Sequence, residues 1–196
     1  MRKEGEEMEN SETSDEFNLL AYAASYIKPE FEKKSSLWQG SPFEWILSLP
    51  SGSKGKLGKR LVNQWCAIKG LSIDSSPDSQ ADMLINGHRV EIKFSTLWEV
   101  NIYKFQQIRD QNYEYAVCLG ISPFEAHCWV VSKKILREYV IGHLGQHTGS
   151  KGQETAWFAV NPQSPPNWML PCGGTLEHAY KVLKSLSNKK QKTAGK

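Results

Sequence analysis

Two acids and a lysine flank a tight turn in the stretch Ala81 to Ser95. With a two-residue turn at Asn86-Gly87, Ile85 faces His88, Leu84 faces Arg89, Met83 faces Val90 and Asp82 faces Glu91. Directly opposed residues carry Cβ atoms roughly 4.5–5.5 Å apart on one side of the ladder. Lys93 lies two residues beyond Glu91 and shares its side, while Val90, Ile92 and Phe94 point the other way, into a core. Two neighbouring carboxylates repel, which raises a pKa or recruits a cation. A hard ion such as Mg²⁺ takes oxygen ligands and keeps several waters. It can polarise a phosphoryl oxygen and supply an activated water. A nearby ammonium can orient that water or stabilise charge on the phosphate. Together these are the requirements of phosphodiester hydrolysis. The plainer alternative is an exposed ion-pair stripe on a strand. Short acid-x-Lys patterns arise by chance, and Glu32-Lys33-Lys34 is one with no turn or partner acid around it.

The elements that must position this trio follow from periodicity and turn chemistry. Asn-Gly between alternating apolar residues is the strongest short-range hairpin signal. Before it, Lys56 to Lys69 reads as an amphipathic helix, with Leu57, Leu61, Trp65 and Ile68 on one face, Lys56, Lys59, Arg60 and Lys69 on the other, and Gly70 as its stop. Pro50 to Gly55 reads as a flexible loop. Further upstream, Asp15 to Lys28 forms a helix with Pro29 just past its end, Glu30 to Gly40 a connector, and Ser41-Pro42 starts a short helix over Phe43 to Leu49. After the hairpin, Tyr103 to Asp110 reads as a short helix, Tyr115 to Ile121 as a buried strand and His127 to Val131 as another. Ser132 caps a helix over Lys133 to Ile141, and His143 to Gly152 is a glycine-rich loop. Thr155 to Val160 is a strand, Pro162 to Gly174 a turn region, and Thr175 caps a helix running to about Leu186. The expected class is a mixed α/β domain.

At 196 residues, with 39% apolar and 23% charged residues, the chain has the composition of a soluble globular protein. No apolar run is long enough for a bilayer and the N-terminus lacks the apolar stretch of a secretory signal, so a cytoplasmic location with no membrane contact is expected. Cys66, Cys118, Cys128 and Cys172 have no CxxC spacing and read as reduced, buried small hydrophobes. Residues 1–16 carry a net −5, which leaves +8 on the remaining 180. A basic body suits a polyanion, although a solvated surface has the same charge. Residues 1–15 read as a disordered acidic tail, 16–188 as one domain and 189–196 as a basic tail.

Asp82-x₈-Glu91-x-Lys93 on two adjacent antiparallel strands resembles the PD-(D/E)xK nuclease superfamily. The likeness covers about Gly55 to Ser122, the catalytic core being about 55–122. It implies a restriction-endonuclease-like core, a central mixed β-sheet flanked by helices. By it, Asp82 and Glu91 hold Mg²⁺ with the main-chain carbonyl of Ile92, and Lys93 helps the attacking water. Pro77-Asp78 also spells the motif's first half, but Asp82 fits the hairpin register. The stretch Gln107-Ile108-Arg109 is similar to one in type II restriction endonucleases, where Gln107 or Arg109 sits near the scissile phosphate; plain helix surface is the alternative. Many relatives add a Glu from the preceding helix. Here that stretch reads Gly58-Lys59-Arg60, with Glu44 the possible substitute, which leaves one or two metal ions open.

The resemblance implies a Mg²⁺-dependent type II restriction endonuclease cutting double-stranded DNA to 5′-phosphate and 3′-hydroxyl ends. A homodimer would match a palindromic site, and a cognate DNA methyltransferase acting on the same site is the implied partner. Lys56, Lys59, Arg60 and Arg109 are candidate phosphate contacts. The loop bearing Gln146, His147 and Lys151 could enter a DNA groove, within a recognition part over about 132–175. His143-x₃-His147 has metal-ligand spacing, but its glycines argue for a loop and no Cys pair completes a zinc site. Trp65 and Trp129 read as core; Trp38, Trp98, Trp157 and Trp168 could pack or contact bases. A structure-selective repair or junction nuclease, and a DNA-binding module with a purely structural hairpin, are the rival readings.

Overall fold

The computed structural model describes residues 15–98, 100–146 and 155–186. The chain divides into two compact units at residues 39 and 40. The acidic tail before Asp15, the basic tail, and most of the 143–152 loop lie outside the described residues.

The first unit contains helix α1, Asp15–Trp38, which passes through Pro29 instead of stopping before it. Proline removes one amide donor but its fixed φ is itself helical. Glu30, Glu32, Lys33 and Lys34 beyond it are strong helix formers, so the connector expected over Glu30 to Gly40 is mostly helix.

The second unit opens with a 3-10 turn, Glu44–Ile46, shorter than the helix expected over Phe43 to Leu49. Ser41 holds it: its Oγ accepts from the Phe43 N–H at 3.0 Å and donates to the Pro123 carbonyl. Helix α2 follows at Ser51–Ile68, five residues ahead of the expected start. The Pro50 carbonyl accepts from the amides of Ser53 and Lys54 at 2.9 and 3.1 Å, so the expected Pro50–Gly55 loop is the first turn of the helix. Its buried stripe is Gly58, Val62 and Cys66, not the expected Leu57, Leu61, Trp65 and Ile68; Ile68 is 83% exposed. Gly58 selects that face. A Cβ there would lie 2.3 Å from the Cβ of Phe94, so only glycine lets the helix backbone come this close.

Among the described residues, nine strands follow: β1 Ile73–Ser75, β2 Met83–Ile85, β3 His88–Thr96, β4 Tyr103–Ile108, β5 Tyr115–Ile121, β6 Ala126–Ser132, β7 Gly145–Gln146, β8 Thr155–Val160 and β9 Gly173–Thr175. Helix α3, Lys133–Tyr139, separates β6 from β7, a 3-10 helix Asn167–Cys172 precedes β9, and α4, Leu176–Ser185, ends the described chain. Six strands form a central mixed sheet in the order β1-β2-β3-β5-β6-β9, with β3 and β5 parallel and every other pair antiparallel. The fold is therefore mixed α/β, a central mixed sheet of six strands flanked by helices.

The register divides this sheet into two faces. Val90, Ile92 and Phe94 share a side with Val117, Leu119, Cys128 and Val130, which packs on α2 and α4. Glu91 and Lys93 share the opposite side with Ala116, Cys118, Trp129 and Val131, toward the second sheet, ordered β4-β8-β7. Between the sheets, the rings of Phe105, Trp129 and Phe158 pack with centroids 5.3 and 6.2 Å apart.

Strand β4 replaces the helix expected over Tyr103 to Asp110. Tyr103 and Phe105 alternate inward, both fully buried, as a strand requires. A bulge then inserts Gln106 and Gln107, with Gln107 at φ 55°, and turns Ile108 back into the core. Trp129 is core as expected, whereas Trp65 is only half-buried. Trp168 stacks on Tyr139 at 5.3 Å, and Trp98, half-exposed, lies under the Lys104 ammonium at 3.9 Å. Ser132 and Thr175 cap α3 and α4 as the sequence indicates, accepting from the amides of Ile135 and His178. All four cysteines are free and buried, and burial pushes the Cys66 thiol up to about 12. Among the described residues, no helix is long and apolar enough to cross a membrane.

Candidate active site

The hairpin forms because Asn86 and Gly87 both adopt left-handed φ, 51° and 79°, the geometry a two-residue primed turn requires. Asn86 also anchors the turn. Its Oδ1 accepts from the Ser72 amide at 3.2 Å and its Nδ2 donates to the Leu183 carbonyl at 3.1 Å. Three of the four expected pairs form, Met83 with Val90, Leu84 with Arg89 and Ile85 with His88, but the expected opposition of Asp82 and Glu91 is not part of the ladder, because the Asp82 amide bonds to the Val90 carbonyl instead.

The ladder ends at Met83, and Asp82 closes it with its side chain. The Asp82 amide donates to the Val90 carbonyl at 2.9 Å, and its Oδ2 accepts from the Ile92 amide at 2.8 Å. Asp82 thus holds the peptide groups on both sides of Glu91. A strand residue's N–H and C=O point to the same edge, so the Ile92 carbonyl also faces the Asp82 side, beyond Met83, the first residue of β2. The other Asp82 oxygen, Oδ1, forms an ion pair with Lys59 of α2.

Glu91 and Lys93 stand on the sheet face toward β4. The Lys93 ammonium is 2.8 Å from Glu91 Oε1 and donates to the Gln107 carbonyl at 2.7 Å. Both side chains are largely enclosed, at 14% and 13% exposure. Below them, burial and then the Glu91 charge push the Tyr113 hydroxyl well above its ordinary value. The bulge in β4 is what presents the Gln107 carbonyl, so Gln107 meets Lys93 through its main chain rather than through a side chain on a helix.

Asp82, bonded to the Ile92 amide, and Glu91, bonded to Lys93 with the Gln107 carbonyl, are joined through the β3 backbone. Lys59 belongs with them as the partner of Asp82, a contact that its place on a polar helix face did not specify. Lys56 and Arg60 are exposed on the same helix, and Arg109 is exposed just after β4. Gln146 lies in β7, pairing with Thr155, while His147 and Lys151 lie outside the described residues. His143 is exposed in the turn after α3. Glu44 accepts from the Gly40 amide at 3.2 Å. Asp78, the other candidate for the motif's first acid, pairs with Arg89, whose guanidinium holds its carboxyl below the usual range.

The oxygens that could serve a metal here are the Asp82 and Glu91 carboxylates and the Ile92 main-chain carbonyl. Among the described residues, no group of three or more His, Cys, Asp or Glu is arranged to hold a metal. Oxygen-only donors in this number suit an ion that retains several waters, as Mg²⁺ does, and not a structural zinc. Beside Asp82, a cleft of about 340 Å³ runs between α2 and the outer strands, lined by Asn63, Ile73, Asp74, Ser76, Asp78 and Asp82. Comparison with protein-family models and with curated proteins finds no match for this chain.

Proposed function

We propose that this chain is a Mg²⁺-dependent endonuclease of the PD-(D/E)xK type that cuts double-stranded DNA, acting as a type II restriction endonuclease. The observation that carries the reading is the bonding around Glu91. Asp82 grips the amide and carbonyl on either side of it, and Lys93 is fixed between its carboxylate and the Gln107 carbonyl. Asp82, Glu91 and the Ile92 carbonyl would hold the ion. Once bound, Mg²⁺ supplies a polarised phosphoryl oxygen and a more acidic water. Lys93 orients the attacking water for in-line displacement, and its charge offsets the charge that develops on the phosphate. Its two anchors keep the ammonium in place before substrate arrives, so no reorganisation is needed at the moment of reaction. Lys56, Arg60 and Arg109 are exposed and can take backbone phosphates.

One observation favours a second reading, a DNA-binding module without catalysis. Each carboxylate already faces an ammonium, Lys59 on Asp82 and Lys93 on Glu91, so the charges are matched in pairs. Incubation of a mixed-sequence plasmid with Mg²⁺ or with chelator separates the readings. Discrete fragments in Mg²⁺ alone support restriction. Metal-dependent nicking or smearing supports a structure-selective repair or junction nuclease. Binding without cleavage, on DNA covering all short palindromes, supports the binding module and refutes the nuclease.

A further inference from the structure

The residue least explained by a nuclease site is Lys59. A cation faces the acid that would ligate a cation, from the helix where a third acid is expected. The contact follows from packing. Gly58 brings the α2 backbone against Phe94, and the next residue, Lys59, reaches Asp82 at the rim of the hairpin. Both Asp82 oxygens are then occupied, Oδ2 by the Ile92 amide and Oδ1 by Lys59. The two differ in replaceability. The Ile92 bond belongs to the hairpin itself, whereas the Lys59 side chain is 48% exposed against 10% for Asp82. Lysine is therefore the partner that can leave, and Oδ1 is the atom a metal would take.

We infer that Lys59 is a built-in counter-ion for Asp82 that competes with the divalent ion and is released when the ion binds. The inference rests on the proposed function. Lys59 neutralises Asp82 while the ion is away, keeping a largely enclosed carboxylate from standing uncompensated. Once displaced, its ammonium stays on the α2 side of the cleft beside the exposed Lys56 and Arg60. There a DNA phosphate is its natural partner. Duplex and metal thus favour the same released state of Lys59, which makes their binding mutually reinforcing.

The test is calorimetric titration of the full chain with Mg²⁺ alone, without DNA, in wild type, Lys59→Met and Lys69→Met. Methionine keeps most of the apolar stem and removes the charge. Lys69 is the control, since it ends the same helix and pairs with Glu177 instead. Thermal melts without Mg²⁺ establish that all three are folded. Lys59→Met should bind Mg²⁺ about 2- to 5-fold more tightly, the size of a partly exposed ion pair, with one ion per chain, and Lys69→Met should match wild type. Unchanged or weaker binding by Lys59→Met overturns the inference while leaving the metal site standing. An equal gain in Lys69→Met also overturns it, since the effect is then general charge. Absence of Mg²⁺ binding in all three refutes the metal reading and takes this inference with it.

Discussion

Replacing Gly58 by alanine sets two effects against each other. In an exposed helix interior the change stabilises, by about 0.5–1 kcal/mol, because alanine loses less backbone freedom on folding. Gly55, one turn earlier in the same helix, meets that condition, since an added Cβ there has no atom within 4 Å. At Gly58 the added Cβ would lie 2.3, 2.6 and 3.0 Å from the Cβ, Cγ and Cδ2 of Phe94. Carbon atoms settle at about 3.5–4.0 Å, so helix and strand must part by more than an ångström. Phe94 cannot swing its Cβ aside, because that atom is bonded to the strand backbone. Overpacking of this kind costs about 1–3 kcal/mol. After the propensity gain, a net loss of up to about 2.5 kcal/mol remains, which for a chain of this size lowers Tm by up to about 10 °C. Urea unfolding of Gly55→Ala and Gly58→Ala side by side reads the difference, with opposite signs expected. If Gly58→Ala is as stable as Gly55→Ala, the close approach of α2 to β3 is wrong, and with it the placement of Lys59 beside Asp82.

Thr175→Ala removes the oxygen that accepts the His178 amide at 3.1 Å and should cost about 1 kcal/mol in the same assay, with Thr175→Ser restoring most of it. Asp110 tests electrostatics: the hydrogen bond from Lys133, with Arg137 adding to it, holds its carboxyl below the ordinary 3.8. A lowered value means that folding favours the ionised form, so the contribution is present above 3.8 and is lost as pH falls through the folded value. Asp110→Asn should therefore be less stable than wild type near neutral pH, by at most about 1 kcal/mol given its exposure to solvent, and equal to it once the carboxyl is protonated. Equal destabilisation at both ends of an acid titration would assign the loss to packing.

The hairpin was legible because its information is local. Asn86-Gly87 fixes the turn, the turn fixes the register, and the register puts Glu91 and Lys93 on one face. The caps at Ser132 and Thr175 and the buried strand at Tyr115–Ile121 are local in the same way. What failed depended on contacts between distant residues or on broken periodicity. The bulge at Gln106 and Gln107 leaves Phe105 and Ile108 three residues apart, a spacing that imitates a helix face. The glycines and serines of Ser51 to Gly55 have loop composition, yet they form the first turn of α2. The buried face of α2 is set by the one of its glycines that meets Phe94, Gly58, and not by its leucines. For the same reason Lys59 read as a solvated cation: nothing in α2 alone says which acid it will meet. The Gln107 carbonyl that anchors Lys93 is main chain, so its residue type carries no signal of that role.

The central claim is that Asp82, Glu91 and Lys93 act as one catalytic group, and the most direct test is the single-turnover rate of Mg²⁺-dependent DNA cleavage by Glu91→Gln and Lys93→Met. Both substitutions preserve shape while removing one charge, and unfolding curves would establish that each variant is folded. The account expects each to lose at least about 100-fold in rate while retaining duplex binding, as loss of a preorganised charge at a reacting phosphate does. Folded variants that cleave at the wild-type rate would contradict it, and the hairpin would then be an ion-paired structural element.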